Sequence, residues 1–154
     1  MKKYPFVIRV YGIYIHNSRY VLVSDEYVYG KYVTKFPGGG LEFGEGTLDC
    51  LKREMTEETG MSFDVLDHYY TTDYFVPSAF NPEIQVMSVY YLMRPSGEMT
   101  LKISNIAFDF EKEKEGGQSF RFIDLELLDA DDFIFSIDRH VAQKLKSQFL
   151  NAGF

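Results

Sequence analysis

The order of strand and helix patterns along this 154-residue chain predicts a mixed α/β fold of the α+β kind, in which α-helices cover a mixed β-sheet. Strand patterns flank one central helical pattern, and a second amphipathic helical pattern, at residues 138–149, lies near the end of the sequence. The length suits one domain with a sizeable core, and no internal repeat is present. We therefore expect a single domain over residues 1–154.

Runs of β-forming residues predict the strands, and Gly, Pro, Asn and Ser mark the breaks between them. Asn17 and Ser18 favour a hairpin turn, and the Pro-Gly-Gly-Gly run at 37–40 is expected to end regular structure. The predicted strands cover residues 6–16, 20–24, 33–36, 41–43, 62–76, 84–93, 99–103 and 120–123.

The central helix is predicted over residues 47–59. Leu48, Leu51 and Met55 recur at positions i, i+3 and i+7, so we expect these three side chains to pack into the core. Gly60 follows directly and suits a C-terminal stop, because glycine readily adopts the left-handed conformation that ends many helices.

Three carboxylates share another face of this helix. At about 100° per residue, Glu54, Glu57 and Glu58 fall on an arc of roughly 100°. Clustered carboxylates repel one another, and a hard divalent cation relieves that repulsion; magnesium in particular prefers oxygen ligands. The preceding glycines would let backbone groups approach a metal or a phosphate closely. Without further order in the segment, a solvated acidic helix face would be the better interpretation.

The segment around these glutamates does follow a longer sequence pattern. Residues 39–61, GGLEFGEGTLDCLKREMTEETGM, resemble the Nudix box, G-x5-E-x7-R-E-U-x-E-E-x-G-U, in which U is apolar. A chance match in a chain of this length is expected less than about once in a million at average residue usage. Every fixed position is filled, by Gly39, Glu45, Arg53, Glu54, Met55, Glu57, Glu58, Gly60 and Met61.

The resemblance implies a Nudix-like fold and a metal-dependent pyrophosphohydrolase. Such an enzyme uses water to attack phosphorus in a nucleoside diphosphate linked to another group, as in a nucleoside triphosphate or a related nucleotide. The three helix glutamates and the Gly38 carbonyl would hold Mg²⁺ or Mn²⁺. Glu45 and Arg53 would orient the carboxylates through salt bridges or hydrogen bonds, and Gly39 and Gly60 would support the structure of the site.

Nudix proteins often carry another catalytic glutamate in the loop before a late strand. The charged, glycine-containing segment 111–118, EKEKEGGQ, reads as an exposed loop in that place. Glu115 resembles the family residue most closely, with Glu113 and Glu111 as competitors. The glycines at 116 and 117 would serve as a hinge, and a solvated charge run without a catalytic role is the alternative.

The C-terminal part resembles the Nudix branch that removes oxidised guanine nucleotides, through the run LDADDF that ends at Phe133. That branch usually has an asparagine that reads the base a few residues later. Ile137 and Asp138 stand in that region here, so oxidised-guanine specificity is not expected. Asp131 and Asp132 more simply cap a turn.

Composition limits the partners. The formal net charge of -7 disfavours a nucleic-acid polymer, although a metal-bridged nucleotide is compatible with it. The single cysteine, Cys50, excludes an internal disulfide and is expected to be a buried apolar residue. We expect no signal peptide, no membrane contact and a cytoplasmic location. The sequence leaves the oligomeric state open, a homodimer included.

Two interpretations of function remain at this point. The first is an active pyrophosphohydrolase, and the second is a Nudix-fold module that binds or senses a nucleotide without cleaving it. The exact substrate is open among nucleoside triphosphates, nucleotide sugars and ADP-ribose, and specificity is expected in variable loops such as residues 74–83. Aromatic side chains could stack on a base or pack within the sheet, and packing is favoured for Tyr69, Tyr70, Tyr74 and Phe75.

Overall fold

The structure is a computed structural model that describes residues 3–154, and it divides into two compact units. The first unit is Met1–Ile13 with Gly38–Glu98, and the second is Tyr14–Pro37 with Met99–Phe154. Met1 and Lys2 lie outside the described residues, and a single domain over residues 1–154 stays a prediction. The elements are β1 (Phe6–Ile13), β2 (Ile15–His16), β3 (Tyr20–Val28), β4 (Lys31–Lys35), β5 (Gly38–Gly40), α1 (Thr47–Thr59), β6 (Phe63–Thr71), β7 (Gln85–Pro95), β8 (Gln118–Asp124) and α2 (Ser136–Asn151).

The first unit is built on a mixed four-stranded sheet with the strand order β5-β1-β7-β6. Strand β1 pairs in parallel with β7 and antiparallel with β5, while β6 and β7 are antiparallel. Helix α1 packs against β1, β5 and β6. The predicted Nudix box therefore begins in the edge strand with Gly39 and Gly40, passes through a turn at residues 41–46 and continues in the helix beside that strand.

Strand β5 corrects the expectation that the glycine run ends regular structure. Gly38, Gly39 and Gly40 pair with β1 opposite Tyr11, Val10 and Arg9, respectively. Glycine has little intrinsic strand preference, so pairing to β1 decides the conformation here. A Cβ atom at Gly38 would collide with the backbone of Val10 and Tyr11, and the φ of +141° at this position is one that glycine tolerates. The strand predicted at residues 41–43 is absent.

Helix α1 has the predicted bounds but a different buried face. Leu51 and Met55 are fully buried, as expected, and Cys50 joins them. Leu48, in contrast, is 47% exposed, so the prediction that it packs into the core is wrong. Position 48 lies in the first turn, where the helical period alone does not reveal how far the core extends. Gly60 ends the helix with φ +70°, and its N–H donates to the Thr56 carbonyl.

The second unit contains an antiparallel sheet in which β3 pairs with β2, β4 and β8. The predicted hairpin turn is confirmed: Asn17 and Ser18 both have positive φ, as the central residues of a type I′ β-turn do, and the Arg19 N–H donates to the His16 carbonyl at 3.1 Å. No strand forms at residues 99–103; only an isolated bridge joins Ile103 to Phe120. The fold class is confirmed as mixed α+β, with the strands divided between two sheets.

Helix α2 extends the predicted segment at both ends. Ile137, Val141 and Leu145 are buried along one side, and a short 3₁₀ helix at Ala130–Asp132 packs against it. The side chain of Asp129 caps that short helix by accepting the N–H of Asp131. Within residues 3–154, no helix has both the length and the apolar character needed to cross a membrane.

Candidate active site

The first feature of the site is the close approach of Glu54 to strand β5. A Cβ atom at Gly39 would lie within 2.7 Å of the carboxyl carbon and both carboxylate oxygens of Glu54. Real side chains do not tolerate such contacts, so any other residue at position 39 would displace the carboxylate. The first glycine of the predicted box is therefore explained by space for a functional oxygen group beside the backbone.

Arg53 is the centre of the acidic cluster. Its Nη1 donates to Glu54 Oε1 at 3.0 Å and to Glu57 Oε2 at 3.2 Å, so one nitrogen holds two carboxylates together. Its Nη2 donates to the Gly40 carbonyl at 3.0 Å, which ties the helix to β5. The neighbouring carboxylates raise the pKa of Arg53, with its hydrogen bond to Glu45 as the largest cause.

Glu45 fixes the turn between β5 and α1. Both of its oxygens accept from Arg53, from Nε at 2.9 Å and from Nη2 at 2.7 Å, in the paired geometry that suits guanidinium and carboxylate. It also accepts the backbone N–H of Glu42 at 2.9 Å. The hydrogen bonds from Arg53 and then from Glu42 lower the pKa of Glu45 from 4.5 to about 2. Glu45 is therefore ionised throughout the neutral range.

The remaining two helix carboxylates differ in exposure. The Glu57 side chain is 59% exposed, whereas Glu58 is half-buried with its Oε2 shielded from solvent. Among residues 3–154, no three His, Cys, Asp or Glu side chains converge as a metal site in this conformation. In this conformation Glu54 and Glu57 both bind the Arg53 guanidinium group.

The chemistry of these donors still suits a hard cation. The group beside Gly39 is the Glu54 carboxylate, and carboxylates and backbone carbonyls are the oxygen ligands that Mg²⁺ and Mn²⁺ prefer. The space left by the missing Cβ at Gly39 accepts a carboxylate without displacing the strand. Cys50 offers no competing thiolate: it is buried and donates to the Gly40 carbonyl, and burial raises the pKa of its thiol to about 12.

Sequence analysis missed two contributors to this cluster, one side chain and one backbone carbonyl. Glu42 lies 3.7 Å from Arg53 Nη1 and adds a further carboxylate to the cluster. The Gly40 carbonyl is the second, since it accepts from both Arg53 and Cys50. The box pattern leaves both positions unspecified, so only the fold of the β5–α1 turn could identify them.

Glu115 lies in the second unit, whereas the box residues lie in the first. Its Oε1 accepts the backbone N–H of Tyr29, in the turn between β3 and β4. The adjacent glycines also pair with this hairpin: Gly116 N–H donates to the Tyr27 carbonyl at 3.1 Å, and Tyr27 N–H donates to the Gly117 carbonyl at 3.0 Å. The predicted loop is confirmed, and in this structure both of its glycines are bonded to the hairpin strand.

The aromatic candidates of the first unit divide into two groups. Tyr69 is half-buried, and burial raises its pKa to about 12; burial also raises the pKa of Tyr70 to about 12, with a smaller effect from its hydrogen bond to Asp73. Packing therefore explains these two residues. Tyr74 and Phe75 are exposed, so packing within the sheet does not explain them.

Solved structures share this fold at low sequence identity. The MutT protein from Methanosarcina mazei Go1 is 16% identical, with a TM-score of 0.69, over 96% of this chain and 98% of that one. A NUDIX hydrolase from Nitrosomonas europaea is 16% identical, with a TM-score of 0.66, over 93% and 88%. An ADP-ribose pyrophosphatase from Streptococcus suis is 16% identical, with a TM-score of 0.58, over 95% and 92%.

The search of curated proteins gives no significant match to the sequence. The family comparison is clearer. The model of the NUDIX domain matches residues 6–145, which cover parts of both compact units and the whole box from Gly39 to Met61. Since the match covers most of the sequence and the acidic cluster occupies the box, the chain belongs to the Nudix hydrolase family.

Proposed function

We propose that this protein is a metal-dependent pyrophosphohydrolase that cleaves a nucleoside diphosphate linked to another group, by attack of water on phosphorus. The observation that carries this proposal is the acidic cluster on α1, where Arg53 binds Glu45, Glu54 and Glu57 beside the glycine strand. Nudix hydrolases generally use a divalent metal, and this donor set has the chemistry to hold one.

Glu54, Glu57, Glu58 and the Gly38 carbonyl would hold Mg²⁺ or Mn²⁺. Such an ion lowers the pKa of a bound water and neutralises charge that develops on the phosphate oxygens. The chain's own contribution is to gather negative oxygen groups at one point and to keep them there. Arg53 does this for Glu54 and Glu57, because a single guanidinium nitrogen lies within 3.2 Å of an oxygen of each.

Glu45 supports the same arrangement from the turn. Its two hydrogen bonds fix the plane of the Arg53 guanidinium group, and its low pKa keeps that ion pair intact at neutral pH. Glu45 and Arg53 are thus proposed as orienting residues. Gly39 and Gly60 support the site, by giving Glu54 its space and by ending the helix after Glu58.

Glu115 is proposed as an additional catalytic carboxylate that positions or deprotonates the attacking water. A group from a separate loop suits this task, because in-line attack requires a base or ligand apart from the carboxylates of α1. In this structure its carboxylate accepts the Tyr29 N–H. The proposal therefore requires that this hydrogen bond be kept or exchanged when substrate binds.

The substrate class is proposed as a nucleotide-like small molecule, which the family implies. The similar structures include an ADP-ribose pyrophosphatase, so ADP-ribose is one candidate substrate. Asp138 lies buried in α2 in the region where the oxidised-guanine branch has its base-reading asparagine. Other nucleotides are therefore proposed first. A cytoplasmic location, the absence of a nucleic-acid partner and the oligomeric state stay predictions.

A substrate panel tests this proposal. We expect phosphate- or nucleotide-releasing activity against at least one nucleoside triphosphate, nucleotide sugar or ADP-ribose when Mg²⁺ or Mn²⁺ is present, and none after exhaustive chelation. The Glu58→Gln variant should lower turnover about a hundredfold or more with unchanged folding, because a charge at the reacting phosphate is lost.

The matched control is Glu98→Gln, an exposed glutamate of the same unit, which should retain wild-type turnover. Full activity under chelation, or in the Glu58→Gln variant, would show that the site is wrongly assigned. Tight nucleotide binding without any turnover across the panel would favour a sensing module instead.

A further inference from the structure

Charged groups of opposite sign lie on the two faces of strand β5. It lies at the edge of the first unit's sheet and consists of three glycines, so it carries no side chain on either face. Successive strand residues point to opposite faces. On the face to which a Cβ of Gly39 would point lies the Glu54 carboxylate, and on the face of Gly40 lies Arg9, whose Nη1 would be 3.9 Å from a Cβ there.

Arg9 reaches this place through the register of the sheet. It lies opposite Gly40, while Tyr11, two residues further along β1 and on the same face, lies opposite Gly38. Arg9 Nε donates to the Tyr11 hydroxyl at 2.5 Å, and its Cζ lies 5.6 Å from the centre of the Tyr11 ring. The guanidinium group is therefore oriented along the glycine strand, although the Arg9 side chain is half-buried and still meets solvent.

The negative charge of the site favours a second cation for binding an anionic substrate. Arg53 is surrounded by four acidic side chains and serves to hold them together. A diphosphate is itself strongly anionic, and a metal held by the carboxylates of α1 compensates only the part of the substrate next to it. The planar guanidinium group of arginine forms paired hydrogen bonds with phosphate oxygens. It is therefore well suited to bind the part of the diphosphate that the metal does not contact.

We propose that Arg9 is a phosphate-binding residue of the substrate site, which holds a phosphate of the diphosphate group at the edge of β5. This inference rests on the proposed function for the identity of the substrate. Tyr11 acts as a positioning residue, because its hydroxyl and ring fix the Arg9 head group. Glycine at position 40 keeps the face of the strand in front of Arg9 open, since any side chain there would stand beside the guanidinium group.

Binding and kinetics of Arg9→Gln test the inference. The probe for binding is a nucleoside diphosphate analogue whose bridging oxygen is replaced by methylene, measured by isothermal titration calorimetry with Mg²⁺ present. We expect its Kd to rise about tenfold or more, the usual size of the loss of a charge-assisted hydrogen bond. For the best substrate of the panel, KM should rise by a similar factor while kcat changes less than about threefold.

Three further variants separate binding from structure. Arg9→Lys should recover part of the affinity, since it keeps the charge without the paired geometry. Tyr11→Phe should weaken binding less than Arg9→Gln does. Arg94→Gln is the matched control: Arg94 is an exposed cation in the same sheet, paired with Asp64, and its loss should leave Kd unchanged. Melting temperatures confirm that each variant folds.

The outcomes for this inference and for the proposed function are distinct. Arg9-dependent binding of the analogue by a protein that hydrolyses nothing in the panel would support the inference and contradict the proposed activity. Hydrolysis with wild-type KM and Kd in Arg9→Gln would overturn the inference and leave the activity intact. The inference is also overturned if the wild-type protein fails to bind the analogue, or if Arg94→Gln weakens binding as much as Arg9→Gln does.

Discussion

At the scale of single residues, the site shows why the fixed positions of the box occur together. Arg53 needs acceptors on three sides, and Glu45, Glu54 and the Gly40 carbonyl provide them. Gly39 is fixed for a different reason, because its missing Cβ leaves the space that Glu54 fills. The sequence pattern thus reflects one connected network of contacts, so its residues can be predicted together.

The pH dependence of stability tests the Glu45–Arg53 pair. The folded state lowers the pKa of Glu45 from 4.5 to about 2, so the unfolded chain takes up its proton first as the pH falls. The stability from this pair is therefore complete above about pH 4.5 and is lost as the pH drops towards 2. Thermal melting of wild type and Glu45→Gln should differ most near neutral pH and converge in acid. A difference in melting temperature that stays constant with pH would contradict this assignment.

At the scale of elements, prediction succeeded where the pattern is local. Helix α1 was predicted with its exact bounds, because its apolar period and its glycine stop are both encoded within the segment itself. Strand β5 was missed, because three glycines have no strand preference and only their pairing with β1 makes them a strand. The exposure of Leu48 was missed for a similar reason: the period gives the phase of a helix but not the limit of its contact surface.

The buried face of α1 can be tested with a matched pair of leucines. Leu51→Ala should destabilise the protein by about 2–5 kcal/mol, because Leu51 is fully buried and the deletion leaves a cavity. Leu48→Ala removes the same atoms from an exposed side chain and should change stability by less than about 0.5 kcal/mol. Urea denaturation measures both values. Equal effects of the two substitutions would show that the phase of the helix is wrong.

Substitutions in the Glu115 loop distinguish a catalytic role of Glu115 from a structural one. Glu115→Gln retains an oxygen that can accept the Tyr29 N–H, but it removes the charge, so folding stability should stay close to wild type. Turnover should fall about a hundredfold, the lower end of the contribution of a general base. Glu111→Gln and Glu113→Gln change exposed neighbours and should be close to neutral. Loss of stability without loss of turnover in Glu115→Gln would make Glu115 a structural residue of the hairpin.

At the scale of the whole molecule, the chain passes between the two compact units three times, after Ile13, Pro37 and Glu98. Independent domains normally join through exposed linkers. Here Ile13 is fully buried, and Pro37 and Gly38 are buried on both sides of the second junction. The sequence did not predict this division. Strands β4 (Lys31–Lys35) and β5 belong to different sheets, and no local sequence pattern indicates this.

Cooperativity of unfolding tests the proposed single domain. Each unit is assembled from segments that are distant in sequence, and two of the three junctions, after Ile13 and Pro37, are buried, so we expect neither unit to unfold alone. Leu51 in the first unit and Leu22 in the second are both fully buried, and alanine at either position should cost about 2–5 kcal/mol. The measurement is hydrogen exchange of the slowest amides, resolved by peptide. If unfolding is one global event, each substitution should accelerate these amides in β1 and in β3 by the same factor. If Leu51→Ala accelerates exchange only in the first unit and Leu22→Ala only in the second, the units unfold separately and the single-domain prediction is wrong.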